Sequence, residues 1–92
     1  MTGIIDNPAL RRFEMHVEGA IAFVEYARDG DRLVLIHTEI PESLGGRGIG
    51  SALARAVLEH LRAEGVRARV RCDFLARFVQ RHPEFGDVVE TG

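Results

Sequence analysis

The strongest indication of the fold lies in residues 33–50, LVLIHTEIPESLGGRGIG. Its first half is apolar and rich in β-branched side chains, which predicts a strand, and Pro41 ends the ladder of that strand. Its second half, Gly45 to Gly50, is rich in glycine and leads into a segment of alanine and leucine that predicts a helix. Glycines let the backbone turn sharply, and the first N–H groups of a helix lack partners and carry the positive end of its dipole. We therefore expect a phosphate or pyrophosphate to bind there.

The spacing of the glycines narrows the kind of phosphate site. No Gly-Lys-Ser/Thr closes the loop, which argues against a P-loop nucleotidase. Ser51 stands where a dinucleotide fingerprint counted from Gly46 would have a glycine. The alternative to a phosphate site is that the glycines only allow the tight turns at the start of the helix. The neighbouring elements have to decide between these two interpretations.

Two strands are predicted before this stretch. Residues 12–18 alternate apolar and polar side chains, which indicates a strand buried on one face, at an edge of the sheet. Residues 20–26 are apolar on both faces and predict a second strand. The dipeptide Asp29-Gly30 predicts a tight hairpin into the third strand, residues 33–40.

A helix, a strand and a second helix are predicted after the glycine loop. Residues 49–64 carry apolar side chains at helical spacing, and Gly65 is suited to a left-handed cap. Residues 66–72 predict a fourth strand, and a short last helix ends before Pro83. The side chains of that helix expected to point inward are Phe74, Leu75, Phe78 and Val79.

The order β-β-β-α-β-α predicts one α+β domain over residues 1–92. An antiparallel meander comes first, and a crossover helix then makes the fourth strand parallel to the third, with the helices packed on the mixed sheet. The carboxyl ends of a parallel pair lie at the same edge of a sheet, where open α/β sheets usually bind ligands. We therefore expect residues 38–40, the glycine loop and Cys72 to converge.

Composition bounds the class of protein. The 92 residues suffice for one core, and no apolar run is long enough to span a bilayer. The first residues do not resemble a signal peptide. A single cysteine, Cys72, excludes an internal disulfide framework and a multi-cysteine zinc site, so we expect no metal and a cytoplasmic location.

Charge argues against nucleic acid as a partner. The net charge of −2 gives no general attraction to a polyanion. Arg67, Arg69 and Arg71 form a basic stripe, which we interpret as a solvated face of the sheet.

The order of strand, Pro41, glycine loop, helix, strand and short aromatic helix resembles the GNAT superfamily of acetyl-CoA-dependent N-acyltransferases, over nearly the whole chain. More narrowly, residues 37–42 running into residues 48–50, with Cys72 and residues 81–85 later, resemble the small stand-alone GNAT proteins. This resemblance implies a GNAT-like fold, acetyl-CoA as cosubstrate and an amine as acceptor.

The resemblance implies a role for each residue of the loop. The residues expected to cradle the pyrophosphate of acetyl-CoA are Gly45, Gly46, Arg47, Gly48, Ile49, Gly50 and Ser51. Gly48 and Gly50 match the two small positions of the family's loop. Gly45 stands where the family has arginine or glutamine, and Arg47 is the candidate replacement. Backbone N–H groups near Thr38, Glu39 and Ile40 are implied to polarise the thioester carbonyl, with the pantetheine arm between the third and fourth strands.

Cys72 is the first candidate for catalysis. It could accept the acyl group or donate a proton to the thiolate of CoA, and the alternative is a small buried hydrophobe. Gln80 stands where typical family members have the tyrosine that protonates the thiolate, and an amide is not a useful acid.

His37 and Glu39 are the other candidates. They project from the same face of the third strand, and either could accept a proton from an ammonium substrate. The alternative is that His37 is a core histidine beside Leu33 and Leu35, while Glu39 faces solvent.

Two functions are therefore compatible with the chain. One is an N-acetyltransferase that acts on a primary amine of unknown identity, such as a protein or a polyamine. The other is a catalytically weak CoA-binding sensor or protein-interaction module on the same fold. A monomer and a weak homodimer both fit, and no membrane partner is expected.

Overall fold

A single sheet forms the centre of the structure, a computed structural model that describes residues 3–90. Its six strands lie side by side in chain order: β1 (Ile5–Asn7), β2 (Arg12–Val17), β3 (Ala20–Asp29), β4 (Arg32–Glu39), β5 (Ala68–Val70) and β6 (Val89–Glu90). The helices are α1 (Ile49–Glu64), α2 (Asp73–Arg81) and two single 3-10 turns, Glu42–Leu44 and Pro83–Phe85.

The sheet is mixed, and this confirms the predicted α+β class. Strands β1 to β4 pair antiparallel, whereas β5 is parallel to β4 and β6 is parallel to β5. The two parallel connections each contain one helix, and α1 and α2 pack against each other. Right-handed crossovers that advance in one direction place both helices on the same face of the sheet.

The hydrophobic core lies between that face and the helices. Helix α1 buries Leu53, Val57 and Leu61, at the spacing that the sequence predicts. The sheet contributes Met15, Leu35 and other inward side chains to the same cluster. At the end of α1, Gly65 adopts a left-handed conformation with φ +70°, as its predicted role as a cap requires.

Two short strands extend the predicted order. Strand β1 pairs with the outer side of β2, so the prediction that residues 12–18 lie at the edge of the sheet is wrong. Strand β6 pairs with the outer side of β5. Both strands are too short to show an alternation of apolar and polar residues, and they are extended because they pair with β2 and β5.

A bulge in β4 changes which side chains face the core. Glu25 pairs with His37 and Tyr26 with Leu35, so Ile36 has no partner in β3. An extra residue in a strand reverses the alternation of its side chains. Before the bulge the odd-numbered residue Leu35 is buried, and after it the odd-numbered residue His37 is exposed.

The hairpin between β3 and β4 lies one residue later than predicted. Asp29 pairs with Arg32, so Gly30 and Asp31 form the two-residue turn. Gly30 has a φ of +65°, which suits glycine at the first central position. No helix among residues 3–90 has the length and apolar character needed to cross a bilayer.

Candidate functional site

The parallel pair β4–β5 opens into a fork. The strands pair from Leu33 with Ala68 to Leu35 with Val70, and the N–H of Arg71 donates to the carbonyl of Leu35 at 2.9 Å. Beyond this bond β5 ends, whereas β4 continues to Glu39 and stays paired with β3 on its other side. The part of β4 after the bulge therefore has a side without a neighbouring strand, where backbone groups can bind a ligand.

Cys72 and Thr38 contact each other at the mouth of this fork. The thiol of Cys72 donates to the hydroxyl of Thr38, with Sγ 3.4 Å from Oγ1. Cys72 is half-buried and occupies the N-cap position of α2. The bulge directs Thr38 to the helix-covered side, because it shifts the alternation by one residue. The predicted convergence of the ends of these two strands is thus present in the structure, across 34 residues of chain.

The glycine loop leads directly into α1. Gly46 and Gly48 have φ angles of +75° and +73°, a region that side-chain-bearing residues rarely adopt. A Cβ at either position would meet no atom within 4 Å, so conformation and not crowding accounts for these two glycines. No side chain caps α1, and its first turn contains no acidic residue. The N–H groups of Ile49, Gly50 and Ser51 precede the first helical bond, which runs from Ala52 to the carbonyl of Gly48.

Gly50 connects the loop to the fork. A Cβ at Gly50 would lie 2.8 Å from the Cζ of Phe74, in the first turn of α2. This close approach brings the start of α1 against the start of α2, where Cys72 is the N-cap residue. The glycine loop and the thiol accordingly belong to one region of the surface. Ile40, which follows β4, packs half-buried against the core, and Gly45 has an extended backbone.

His37 and Glu39 form a pair on the face of the sheet opposite to the helices. The Nε2 of His37 lies 2.9 Å from the Oε1 of Glu39, and the side chains are 52% and 54% exposed. His37 is therefore not a core histidine beside Leu33 and Leu35, and the bulge at Ile36 is the physical reason. Glu39 is exposed at the end of β4, as the alternative for this residue states, and exposure leaves it free to accept a proton.

Glu14 is a polar feature that sequence reasoning missed. It is only 6% exposed and accepts hydrogen bonds from His16 at 2.9 Å, Arg12 at 2.6 Å and Asn7 at 3.0 Å. These donors lower the pKa of Glu14 to about 2, against the cost of burial. The alternation Arg12-x-Glu14-x-His16 on one face of β2 is the signal that could have revealed this cluster.

Arg47 has a partner outside the loop. Its guanidinium donates to the carboxylate of Glu18, in the β2–β3 turn, with Nη2 2.5 Å from Oε2. Arg47, the candidate replacement for the family's phosphate-binding side chain, is thus hydrogen-bonded to Glu18. The predicted basic stripe is also paired in part, because Arg67 and Arg69 both lie within 4 Å of Glu90.

No three side chains of the ligating types come together within residues 3–90 in a way that could hold a metal ion. Comparison with known proteins identifies the family of this chain. The profile of the GCN5-related N-acetyltransferase family matches residues 12–88, which include the fork, the glycine loop and both helices. This chain belongs to that family, and the resemblance inferred from its motifs is confirmed.

Relatives and a solved structure agree with the assignment. The protein NATD1 of Bos taurus is 38% identical over 78 residues, which are 79% of this chain and 67% of that protein. The NATD1 of Homo sapiens is 35% identical over 78 residues, 79% of this chain and 67% of its own length. The solution structure of a GCN5-like protein from Staphylococcus aureus superimposes with a TM-score of 0.73 over 99% of this chain and 90% of that chain. Its sequence identity is 24%, so this likeness concerns the fold.

Proposed function

We propose that this protein transfers the acetyl group of acetyl-CoA to a primary amine. The observation that carries the proposal is the uncapped start of α1, with its two left-handed glycines, beside the open fork of β4 and β5. Membership of the N-acetyltransferase family supports the same reaction.

The residues at this site suit acetyl-CoA, which supplies the acetyl group as an activated thioester. The free N–H groups at the start of α1 and the open space above Gly46 and Gly48 suit the pyrophosphate. The unpaired side of β4 after the bulge suits the pantetheine arm, and N–H groups near Thr38 and Ile40 would stabilise negative charge on the carbonyl oxygen.

Two side chains are suited to move protons in this reaction. Glu39 accepts the proton that an ammonium acceptor must lose, and its hydrogen bond to His37 orients the carboxylate. Cys72 donates a proton to the departing thiolate, since Gln80 is exposed and its amide is no acid. Direct attack by the amine requires no covalent bond to Cys72, and an acetyl-Cys72 intermediate is the alternative path.

The acceptor approaches on the open face of the sheet. Glu25 pairs with His37 in the neighbouring strand, so a second carboxylate lies beside the His37–Glu39 pair. This arrangement favours a positively charged amine, such as a lysine of a protein or a polyamine. A free thiol at the site keeps its role only in a reducing compartment, which is why we expect the protein in the cytoplasm.

Calorimetric titration with CoA and acetyl-CoA tests the proposal at the loop. We expect the native protein to bind, and Gly48→Val to abolish binding because the side chain fills the cradle and strains a φ of +73°. Gly65→Val is the matched control, since Gly65 has a φ of +70° at the opposite end of the same helix. Circular dichroism establishes that both variants are folded. A native protein that binds neither compound, or a Gly48→Val variant that binds as well as the control, contradicts the proposal.

A CoA-binding sensor is the second candidate function. The observation that favours it is Gln80, exposed at the position where the family's acid is expected. Tight binding of acetyl-CoA without turnover on any amine in a broad acceptor screen would support the sensor over the enzyme.

A further inference from the structure

The ion pair between Glu18 and Arg47 holds a carboxylate against the glycine loop. Arg47 lies between the two left-handed glycines, and its side chain reaches across 29 positions of the chain to Glu18. Both side chains are exposed, so a ligand can approach either of them. The carboxylate of Glu18 thus lies at the same loop for which we propose an anionic ligand.

The position of Glu18 is set by the β2–β3 hairpin. Val17 pairs with Ala20, which leaves Glu18 and Gly19 as a two-residue turn. Their φ angles are +50° and +80°, the pattern of a type I′ turn. Positive φ is uncommon for glutamate, and the pairing of the two strands imposes it here. The hairpin, anchored in the sheet, therefore presents this carboxylate to the loop.

Electrostatics keep both partners charged. The hydrogen bond and charge of Arg47 lower the pKa of Glu18, and Glu18 raises the pKa of Arg47. Solvent screens an exposed pair of this kind, so its net contribution to stability is small and exchange for another anion is easy. A diphosphate is a stronger partner for a guanidinium than one carboxylate, because it offers more charge and paired acceptors.

We propose that Glu18 competes with the diphosphate of CoA for Arg47 and thereby sets the affinity of the loop. This inference rests on the proposed function. Arg47 leaves Glu18 when CoA binds and donates its hydrogen bonds to the diphosphate. The diphosphate replaces the single carboxylate because it offers Arg47 more negative charge and paired acceptors.

A structural clamp is the competing explanation of the pair, and the two explanations predict different signs. If the pair merely holds the hairpin against the loop, loss of either partner loosens the loop and weakens binding of CoA. If Glu18 competes, its loss strengthens binding and the loss of Arg47 weakens it. Glu18→Gln removes the negative charge at nearly unchanged shape, and Arg47→Gln replaces the guanidinium with a shorter neutral amide.

Dissociation constants for CoA, measured by calorimetry, distinguish the structural clamp from competition by Glu18. We expect Glu18→Gln to bind CoA roughly two- to five-fold more tightly and Arg47→Gln to bind it less tightly by a similar factor. The gain from Glu18→Gln should vanish in the double variant, because Arg47 is then absent. Asp87→Asn is the control: it breaks an exposed pair with Arg62 at the other end of α1 and should leave binding unchanged.

Each outcome bears on one proposal. Equal or weaker binding by Glu18→Gln, in a folded protein whose native form binds CoA, overturns the competition. A gain that persists in the double variant also overturns it, because the effect would not pass through Arg47. Failure of the native protein and of all variants to bind CoA contradicts the proposed function itself.

Discussion

At the scale of single residues, Cys72 packs against the core and also has a polar partner. It is half-buried, donates to the hydroxyl of Thr38 and begins α2 as its N-cap. A cysteine that only filled space would need no polar partner, since a thiol behaves as a small hydrophobe. In the reaction that we propose, the departing thiolate would receive its proton at the mouth of the fork, where Cys72 lies.

Cys72→Ala tests this role. We expect kcat to fall by roughly 10²-fold, the range of general acid catalysis, while the dissociation constant for CoA stays within a few-fold of the native value. Steady-state turnover and calorimetry measure the two quantities. Unchanged turnover eliminates Cys72 both as acid and as nucleophile. Mass spectrometry of native protein mixed with acetyl-CoA alone separates these roles, because only the nucleophile retains an acetyl group.

At the scale of elements, the starts of α1 and α2 are packed so closely that a methyl group at Gly50 would require the ring of Phe74 to shift. The hypothetical Cβ of Gly50 lies 2.8 Å from the Cζ of Phe74, a distance that real Cβ atoms do not show. This contact couples the glycine loop, at one helix start, to Cys72, at the other. The spacing between the proposed pyrophosphate site and the thiol therefore depends on Gly50.

Gly50→Ala should accordingly destabilise the protein by about 1–2 kcal/mol, since overpacking outweighs the better helix propensity of alanine. Urea unfolding followed by circular dichroism measures the change. The double variant Gly50→Ala with Phe74→Leu should recover part of the loss relative to Phe74→Leu alone, because the smaller side chain leaves room. A stabilised Gly50→Ala variant would show that helix propensity decides at this position and that the contact is unimportant.

At the scale of the whole molecule, the sheet has two unlike faces. One is covered by α1 and α2 and forms the core. The opposite face carries Glu14 with its three donors and the pair His37–Glu39. A polar face that is ordered by hydrogen bonds makes the stability of the whole domain depend on pH.

Glu14 sets the direction of that dependence. Its pKa is about 2 in the folded protein, below the ordinary value of 4.5, so the unfolded chain binds more protons between these values. The stabilisation is complete above about pH 4.5 and is lost as the pH falls toward 2. Thermal unfolding across this range should show a falling Tm, and Glu14→Gln should show a smaller fall. Equal pH dependence in both proteins would contradict the assignment to Glu14.

Local sequence patterns were enough to predict the elements whose signals are strong. Helix α1 and its cap at Gly65 follow from apolar periodicity and a glycine, and β4 follows from a run of apolar and β-branched residues. The order of these elements around the glycine loop was sufficient to predict the fold class and the family.

Tertiary structure alone decided the details that arise from pairing between distant segments. The strands β1 and β6 are too short for a periodic signal, and their neighbours make them strands. The bulge at Ile36 depends on how β4 meets β3, and it turns His37 from the core to the open face. The partner of Arg47 stands 29 residues away, because a hairpin turn brings Glu18 to the loop. No local pattern predicts such contacts, because they form between distant segments and stabilise the chain only once the sheet has assembled.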